Sequence, residues 1–477
     1  MRDSKYIWLV GLGITLLIIG VPIYLFTFDP PVVSADPWAS VPDRSRDPVD
    51  HSHFFTGTYE TGSDITRVCL TCHEDAGDQM LHTSHFRWLS EPQIVEGRDE
   101  PIEIGKANLV NNFCLSAAAN LDSCTRCHTG YGWVDDTYDF TNPENVDCLV
   151  CHDNSGTYVR AAGGQVAEGV DLVLVAQSVG TPTRQNCGGC HFDGGGGNGV
   201  KHGDLDESLY YPPESVDVHM GRYDFLCIDC HQTEDHQIGG QAISVNTNVE
   251  DHNIACTDCH EPTLHEDERI TEHLDTVACQ TCHVTVTALR DPTKISWDWS
   301  QAGDATRVES VHEYLRIKGE FVYENDYIPQ IAWFNGNIAR YLVGDLIDPT
   351  VSTVLNQPLG DIADLDSLLY PFKIHYGNQP YDTVNNILLT PRTVGEDGYW
   401  TTFDWDSSLQ LGAELAGISY SGEFGFAPTE MYWMQTHMVR PAENALTCTS
   451  CHGEGGRIDW LALGYPGDPM VWGGRTP

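Results

Sequence analysis

The residues best suited to chemistry are sixteen of the 17 cysteines, which fall into eight Cys-x-x-Cys-His units. Two thiols three residues apart can add to the two vinyl groups of one haem, and the next residue, histidine, then ligates the iron. Chance would supply on the order of 0.03 such units at this composition. The cysteines are Cys69, Cys72, Cys124, Cys127, Cys148, Cys151, Cys187, Cys190, Cys227, Cys230, Cys256, Cys259, Cys279, Cys282, Cys448 and Cys451, and the histidines are His73, His128, His152, His191, His231, His260, His283 and His452.

Zinc sites, disulfides and redox-active cysteine pairs are the alternatives for such units. A zinc site would pair two Cys-x-x-Cys units with each other and would not require a histidine after each one. The pattern therefore predicts a multihaem c-type cytochrome carrying eight covalently attached haem c groups. Only Cys114 is left over.

A second axial ligand is expected for most of these irons, and histidine is its commonest source. Thirteen of the 21 histidines remain after the motifs are assigned. His51, His53 and His312 are predicted not to be ligands, and His82 competes with His85. The predicted distal candidates are His82, His85, His202, His219, His236, His265, His273, His375 and His437.

The N-terminus indicates the compartment. Residues 7–28 carry no charge and are long enough to span a membrane as a helix. Arg2 and Lys5 precede this run and Asp29 follows it, so the positive-inside rule places the haem-binding part outside the cytoplasm. A cleaved signal peptide ending near residues 33–35 is the alternative. Both interpretations predict an extracytoplasmic protein, and the first predicts a membrane anchor.

The chain is strongly acidic, with 25 lysines and arginines, 69 aspartates and glutamates, and a net charge of -44. Such a surface excludes nucleic acid as a partner and repels anions over a Debye length. Adaptation to salty or alkaline water, docking to a basic redox partner, and simple solubility remain open as explanations.

The surrounding segments of the chain must position the Cys-x-x-Cys-His units. The sequence divides into five such segments. Residues 1–28 form the anchor or signal peptide, and residues 29–60 form a linker rich in Pro, Asp and Ser. Residues 61–283 hold seven motifs, so haems replace a side-chain core there. Residues 284–447 contain no cysteine, are rich in aromatics and look strand-like at 320–323 and 399–403, which predicts a mixed subdomain packed on the haems. Residues 448–477 hold the eighth motif and a tail.

The predicted fold class is mainly α with much irregular structure, a mixed α/β segment near the C-terminus and an N-terminal transmembrane helix. The acidic run at residues 135–139 offers oxygen ligands of the kind that calcium binds. A solvated loop is the other interpretation of that run.

Several longer sequence runs surround the motifs: residues 110–116, 131–133, 145–152, 156–158, 177–180, 187–191, 194–197, 200–204, 379–384 and 437–457. Together they span roughly residues 65–465. These runs resemble the octahaem tetrathionate reductase family of multihaem c-type cytochromes.

The resemblance implies an unusual second haem, whose iron is held by a histidine and a lysine. By position these are His128 and Lys201, which follows the glycine run. The family also has a cysteine beside this haem, here Cys114, and an aspartate three residues before the lysine, here replaced by Asn198. This replacement removes a candidate proton donor. A solvated lysine and a buried, inert thiol are the alternatives for Lys201 and Cys114.

The chemistry of Lys201 is consistent with this role. Glycine-rich backbone can approach a flat cofactor closely, and the charge of an iron ion favours the neutral amine that ligates it. The resemblance then implies a reductase of tetrathionate, with nitrite and hydroxylamine as further substrates. Its partners would be a small sulfur or nitrogen oxyanion and a redox protein or quinone-linked donor. A non-catalytic electron conduit and hydroxylamine oxidation are the competing functions.

Overall fold

A computed structural model describes residues 49–112, 117–240, 254–261 and 265–475. The predicted anchor at 7–28, the candidate cleavage site at 33–35 and Cys114 lie outside these ranges. None of the helices within them is long and apolar enough to cross a membrane.

Short helices dominate the motif-rich part of the chain. The residues at i, i+3 and i+4 share one face of a helix, so a single turn presents both thiols and the histidine of a motif to the same side. Five of the motifs lie wholly or largely within an α-helix, and three lie at a helix end or on a 3₁₀ turn. The α-helices are α1 (Gly62–Cys69), α2 (Ala76–Leu81), α3 (Leu121–Cys124), α4 (Leu149–His152), α5 (Leu172–Gln177), α6 (Arg184–His191), α7 (Val218–Arg222), α8 (Cys227–Cys230), α9 (Glu268–His273), α10 (Cys279–His283), α11 (Tyr399–Thr402), α12 (Trp405–Ala416), α13 (Cys448–Cys451) and α14 (Pro469–Trp472).

Single 3₁₀ turns connect several of these helices, and side chains cap their ends. Thr61 caps α1 in a reciprocal arrangement with Asp64, and Asp171 accepts hydrogen bonds from the first amides of α5. These caps stabilise helices that are too short to persist alone. The 3₁₀ helices are Ala118–Asn120, Thr125–Cys127, Pro143–Asn145, Ala162–Gly164, Glu207–Tyr210, Cys256–Asp258, Trp299–Gln301 and Ala442–Asn444.

Strands are concentrated in the cysteine-free segment. The exception is a small hairpin formed by the first two strands. The strands are β1 (Thr233–Glu234), β2 (Gln237–Ile238), β3 (Thr293–Asp298), β4 (Tyr314–Leu315), β5 (Gly319–Glu324), β6 (Gln330–Phe334), β7 (Ile338–Arg340), β8 (Thr353–Val354), β9 (Asn356–Pro358), β10 (Leu368–Asp382), β11 (Ile387–Leu388) and β12 (Phe424–Met434).

The main sheet has eight strands and is built around β10. Its order is β4-β5-β3-β10-β12-β8, with β6 and β11 also paired to β10. β10 is antiparallel to β12 along eleven residue pairs and parallel to β3. An aromatic cluster packs on this sheet, where the rings of Trp297 and Trp299 stack with centroids 4.2 Å apart. The segment therefore has a conventional side-chain core.

The motif-rich part holds apolar clusters of its own and a buried polar network. Asp147, next to the third motif, accepts hydrogen bonds from the hydroxyls of Tyr131 (2.8 Å) and Tyr158 (2.7 Å) and pairs with Arg160 at 3.0 Å. Buried charges persist only when they are paired and hydrogen-bonded in this way. The network therefore joins the segments that surround the second and third motifs.

The sequence predicted a mainly α fold, whereas the described residues have mixed helix and strand content. For example, strand β10 has 15 residues and helix α12 has 12. β10 is buried on both faces, so its sequence lacks the alternation that marks a half-exposed strand. The strand expected at 320–323 is confirmed within β5, whereas residues 399–402 form helix α11.

Candidate functional site

Several motif histidines are oriented by a hydrogen bond from Nδ1, which leaves Nε2 available for a metal. His152 Nδ1 donates to the carbonyl of Gly180 at 2.9 Å, and His231 Nδ1 donates to that of Gly239 at 2.8 Å. His452 Nδ1 lies 2.6 Å from a carboxylate oxygen of Asp468. Partners of this kind set the tautomer and the ring orientation of metal-binding histidines.

Six motif histidines face a second histidine at nearly constant distance. An imidazole nitrogen lies about 2.0 Å from a first-row metal ion, so two rings on opposite sides of one iron have centroids roughly 6 Å apart. The observed spacing therefore fits a haem iron between the rings. The pairs are His73 with His51 at 6.5 Å, His191 with His85 at 6.2 Å, His231 with His437 at 6.2 Å, His260 with His219 at 6.1 Å, His283 with His265 at 6.3 Å, and His452 with His273 at 6.2 Å.

His51 is the residue that sequence reasoning missed. It was predicted not to be a ligand, yet its ring is stacked at 26° to that of His73. It lies in the stretch predicted to be a linker, and no local spacing links it to a motif. The described part of that stretch belongs to the same compact unit as the motifs.

A seventh candidate, His236, lies near the third motif. Its Nδ1 is 2.8 Å from the side-chain oxygen of Gln79. Burial lowers the pKa of His236, and the charge of His152 lowers it further, so the two imidazoles lie within electrostatic range.

Three other distal candidates lie in different surroundings. His82 is exposed, with Nδ1 at 3.3 Å from the guanidinium of Arg87. The ring of His202 packs edge-on against Trp433 at 4.9 Å. His375 is completely buried in β10, and neither of its ring nitrogens has a hydrogen-bond partner among the described residues. The geometry thus gives none of the three a motif histidine as a ring partner within the described ranges.

His128 differs from the other motif histidines. It is buried, and neither ring nitrogen is hydrogen-bonded within the described part of the chain. The rings packed against it are those of Trp133 at 4.7 Å and Trp88 at 6.1 Å. Burial holds the pKa of His128 well below its usual value, and the charge of Lys106 adds to this. A neutral imidazole is the form that binds iron.

A cleft with a volume of about 180 Å³ leads to His128, which makes it smaller than the pockets that take drug-sized ligands. Its walls include Trp88, His82, Arg87 and Lys106. The cleft is therefore lined by a motif histidine and by basic side chains.

Lys201 follows the glycine run. A Cβ at Gly194 would lie 3.0 Å from the carbonyl of Cys190 and 3.5 Å from Cδ of Lys201, so any larger residue would crowd this turn. Burial lowers the pKa of Lys201 to about 8, assisted by Lys106 and opposed by Cys127. The amine therefore loses its proton more readily than that of an exposed lysine, and it lies within electrostatic range of the second motif.

Buried Lys373 supports the backbone of this lysine. Its amine donates to the carbonyls of Val200 (3.0 Å) and Lys201 (3.3 Å) and to the hydroxyl of Thr293 (2.5 Å). Lys373 lies in β10, so the sheet holds the end of the glycine run. Sequence reasoning did not single out this residue, because its partners are distant in the chain.

The side chain of Asn198 forms hydrogen bonds with Asp291 and Glu207. Its amide donates to a carboxylate oxygen of Asp291 at 3.0 Å and its carbonyl accepts from the amide of Glu207 at 2.8 Å. A carboxylate at position 198 would face that of Asp291. The family's aspartate thus could not occupy this position without repulsion.

The acidic run at 135–139 is folded into turns. Asp135 accepts from the amide and hydroxyl of Thr137, and Asp139 accepts from those of Thr141. Within the described ranges, no three His, Cys, Asp or Glu side chains converge on a common metal position. The turn geometry provides no support for calcium at this run.

Thiols of different motifs lie close enough to shift each other's pKa, which indicates how closely the attachment points are packed. Each such pair joins two motifs that belong to separate helices or turns. The pairs are Cys69 with Cys148, Cys127 with Cys190, Cys187 with Cys227, and Cys256 with Cys279.

Comparison with known proteins agrees with this geometry. Residues 294–455 match a family model described as "Cytochrome c bacterial". The chain is 24% identical over 247 residues to an uncharacterized protein of Archaeoglobus fulgidus, covering 41% of this chain and 82% of that protein.

A solved structure of octaheme cytochrome c from Shewanella oneidensis is 47% identical to the chain and superposes with a TM-score of 0.83. The match covers 88% of this chain and 98% of that one. Identity at this level over nearly the whole length, with the paired histidines described above, establishes haem c as the cofactor. The chain belongs to the octahaem c-type cytochromes.

Proposed function

We propose that the protein is an exported octahaem reductase that acts on tetrathionate, and on nitrite and hydroxylamine, at the haem attached by the second motif. The observation that carries this is the exceptional surroundings of His128, which has tryptophans rather than a histidine as its ring neighbours and lines an open cleft. A haem with both axial positions held by histidine offers no place for substrate, whereas this one does.

The ring spacing supports a ligand set for six of the proposed eight haems, namely the six histidine pairs. His152 and His236 would hold a seventh iron. His128 and Lys201 would hold the eighth, in line with the family resemblance. Burial lowers the pKa of Lys201 to about 8 and so eases the loss of the proton that ligation requires, which supports this assignment.

The haem would supply electrons and one coordination position that can open. Lys201 Nζ would bind the iron less tightly than imidazole does and, when not bound, would carry a proton, because the metal charge would no longer oppose its positive form. Two electrons cleave the central S–S bond of tetrathionate and yield two thiosulfate ions. Protonated Lys201 would stabilise the negative charge that develops on the departing sulfur.

The thiol pairs support a continuous electron route to this site. The fourth motif lies near both the second and the fifth, since Cys190 and Cys127 shift each other's pKa, as do Cys187 and Cys227. The third motif also acts electrostatically on the fourth, through Cys151. The haem of the second motif would therefore be a branch reached through the haem of the fourth.

The rest of the route would run along both sides of this branch. Cys69 with Cys148 connects the first and third motifs, and Cys256 with Cys279 connects the sixth and seventh. Electrons would enter from a redox protein or quinone-linked donor, with residues 7–28 anchoring the protein at the outer side of the membrane.

Substitution Lys201→His tests the function. We expect the variant to retain its full haem content but to lose turnover of tetrathionate by roughly a hundredfold or more, because imidazole would keep the iron closed. Dye-linked steady-state assays and pyridine haemochrome analysis give the two readouts. The matched control is Lys318→His, whose amine lies 5.5 Å over the Trp400 ring instead. Undiminished turnover in Lys201→His would refute the proposal.

A non-catalytic electron conduit is the second candidate, favoured by the proximity of the motifs. This function requires each of the eight irons to be coordinated by two protein ligands that do not dissociate. Carbon monoxide added to the reduced protein distinguishes the two functions, since it binds only where one ligand can depart. A spectrum unchanged by carbon monoxide supports the conduit.

A further inference from the structure

Among the described residues that line the cleft above His128, one cation has no carboxylate partner. Arg87 pairs with Glu91 at 2.5 Å and contacts His82, so its charge is compensated within the cleft wall. Lys106 also lines the cleft and is exposed, and none of the residues that the structure describes forms a hydrogen bond or ion pair with it. Its charge is therefore available to a ligand.

The backbone that carries Lys106 is held firmly. Gly105 bridges to Leu89, and its amide donates to the side chain of Asn108 at 3.0 Å. A Cβ at position 105 would lie 2.3 Å from the carbonyl of Trp88, so only glycine permits this close approach. The amine is thus presented from a fixed turn beside the tryptophan that contacts His128.

Lys106 lines the same cleft as His128, the motif histidine of the proposed reaction centre. Lys106, His128 and Lys201 come from three separate segments.

An anion approaching this protein meets a net charge of -44. A local positive charge in a cleft can focus the field and offset such repulsion. We propose that Lys106 is the substrate-recognition cation of this cleft, and that it binds small oxyanions such as tetrathionate and nitrite beside the His128 haem. This inference rests on the proposed reductase function and names the group that selects anionic substrates.

Anionic oxygens could reach Lys106 from two sources, a free oxyanion or a propionate of the haem itself. Hydroxylamine separates them, because it is uncharged near neutral pH and is reduced at the same proposed site. Loss of an oxyanion contact raises the KM of the charged substrates alone. Loss of a propionate contact changes the haem and affects every substrate.

The kinetic experiment compares wild-type holoprotein with Lys106→Gln. We expect KM for tetrathionate and nitrite to rise roughly tenfold, with kcat little changed, and KM for hydroxylamine to stay constant. Raising the salt concentration should reduce the difference in KM for tetrathionate and nitrite between the wild type and Lys106→Gln. The matched control is Arg269→Gln, which removes one charge from a side chain that is 74% exposed.

Lys106→Arg provides a second test. Because arginine keeps the positive charge, we expect this variant to retain most of the affinity that Lys106→Gln loses. Equal losses for all three substrates, together with a changed spectrum of the second haem, would assign Lys106 to a propionate and overturn the inference. An unchanged KM for tetrathionate in Lys106→Gln would overturn it as well.

Binding without turnover separates this inference from the proposed function. Calorimetric titration of the oxidised holoprotein with tetrathionate needs no reductant. We expect Lys106→Gln to raise the dissociation constant for tetrathionate roughly tenfold, even if the wild type proves unable to reduce tetrathionate. Equal affinities in the two proteins, or no binding by either, would contradict the role of Lys106 whatever the outcome of the turnover assay.

Discussion

The motif-rich region and the main sheet achieve compactness in different ways. In the first, short helices carry thiols and histidines, and buried polar networks such as that of Asp147 connect them. In the second, stacked aromatics such as Trp297 and Trp299 pack beneath a continuous sheet. We expect haems to add apolar mass to the side-chain clusters of the first region, whereas side chains alone form the core of the second.

The two regions meet at the proposed catalytic lysine. Lys373 from β10 binds the carbonyls of Val200 and Lys201, and Thr293 from β3 donates to the carbonyl of Gly199 at 2.7 Å. The glycine run belongs to the motif-rich region, but its conformation is held by the sheet. A rigid sheet therefore supports a loop that must also permit ligand movement.

The largest expected effect comes from withholding the cofactor. In chain produced without haem attachment, we expect residues 49–283 to lose their structure, because too little side-chain core remains there. Strands β3, β10 and β12 should stay protected, since their core is made of side chains. Limited proteolysis followed by mass spectrometry locates the cleavage sites, and the holoprotein serves as the control. Cleavage spread evenly over both regions would contradict the comparison.

The next effect comes from the aromatic core. Trp297→Ala removes a ring that is 1% exposed and whose Nε1 donates to the carbonyl of Lys318 at 2.7 Å. We expect the free energy of unfolding to fall by about 3–5 kcal/mol with the haem content unchanged. Denaturant unfolding and haemochrome analysis measure the two quantities.

The same substitution at an exposed position provides the control for that experiment. Trp472 is 66% exposed, so Trp472→Ala should change stability by less than about 0.5 kcal/mol. A Trp297→Ala protein that lost haem would show that the two regions depend on each other for their cores.

The smallest effect concerns a buried carboxyl group in the motif-rich region. Burial raises the pKa of Asp206 to about 6. Hydrogen bonding to Ser208 lowers this pKa, whereas the negative charge of Asp291 raises it further. The folded protein therefore binds this proton more tightly than the unfolded chain does. Stability from this group is fully present below about pH 4 and is lost as the pH rises through about 6.

Asp206→Asn should remove that dependence while keeping the hydrogen bond from the Ser208 amide, which is 2.8 Å long. We expect the variant to exceed the wild type in stability by on the order of 1–3 kcal/mol above pH 6, with no advantage near pH 4. Thermal unfolding across this pH range measures the difference, with the exposed Asp397→Asn as the matched substitution. An advantage that does not vary with pH would refute this origin.

Local spacing was enough to predict the haem attachment points and their histidines, because a Cys-x-x-Cys-His unit is complete within five residues. It also allowed the strand at 320–323 to be recognised. Long-range partners were not predictable in this way. His51 was set aside although it faces His73, and His375 was favoured although it lies inside β10 without a hydrogen-bonded ring nitrogen.

By itself, the sequence determined how many Cys-x-x-Cys-His units are present, which histidines follow the thiols and how acidic the chain is. These properties depend on covalent chemistry and composition. Only the tertiary structure decided which distal histidine faces which motif, that Trp88 and Trp133 surround His128, and that Lys106 lines its cleft. An axial ligand needs only a position and a direction in space, so residues far apart in the chain can provide it, and no periodicity in sequence records the pairing.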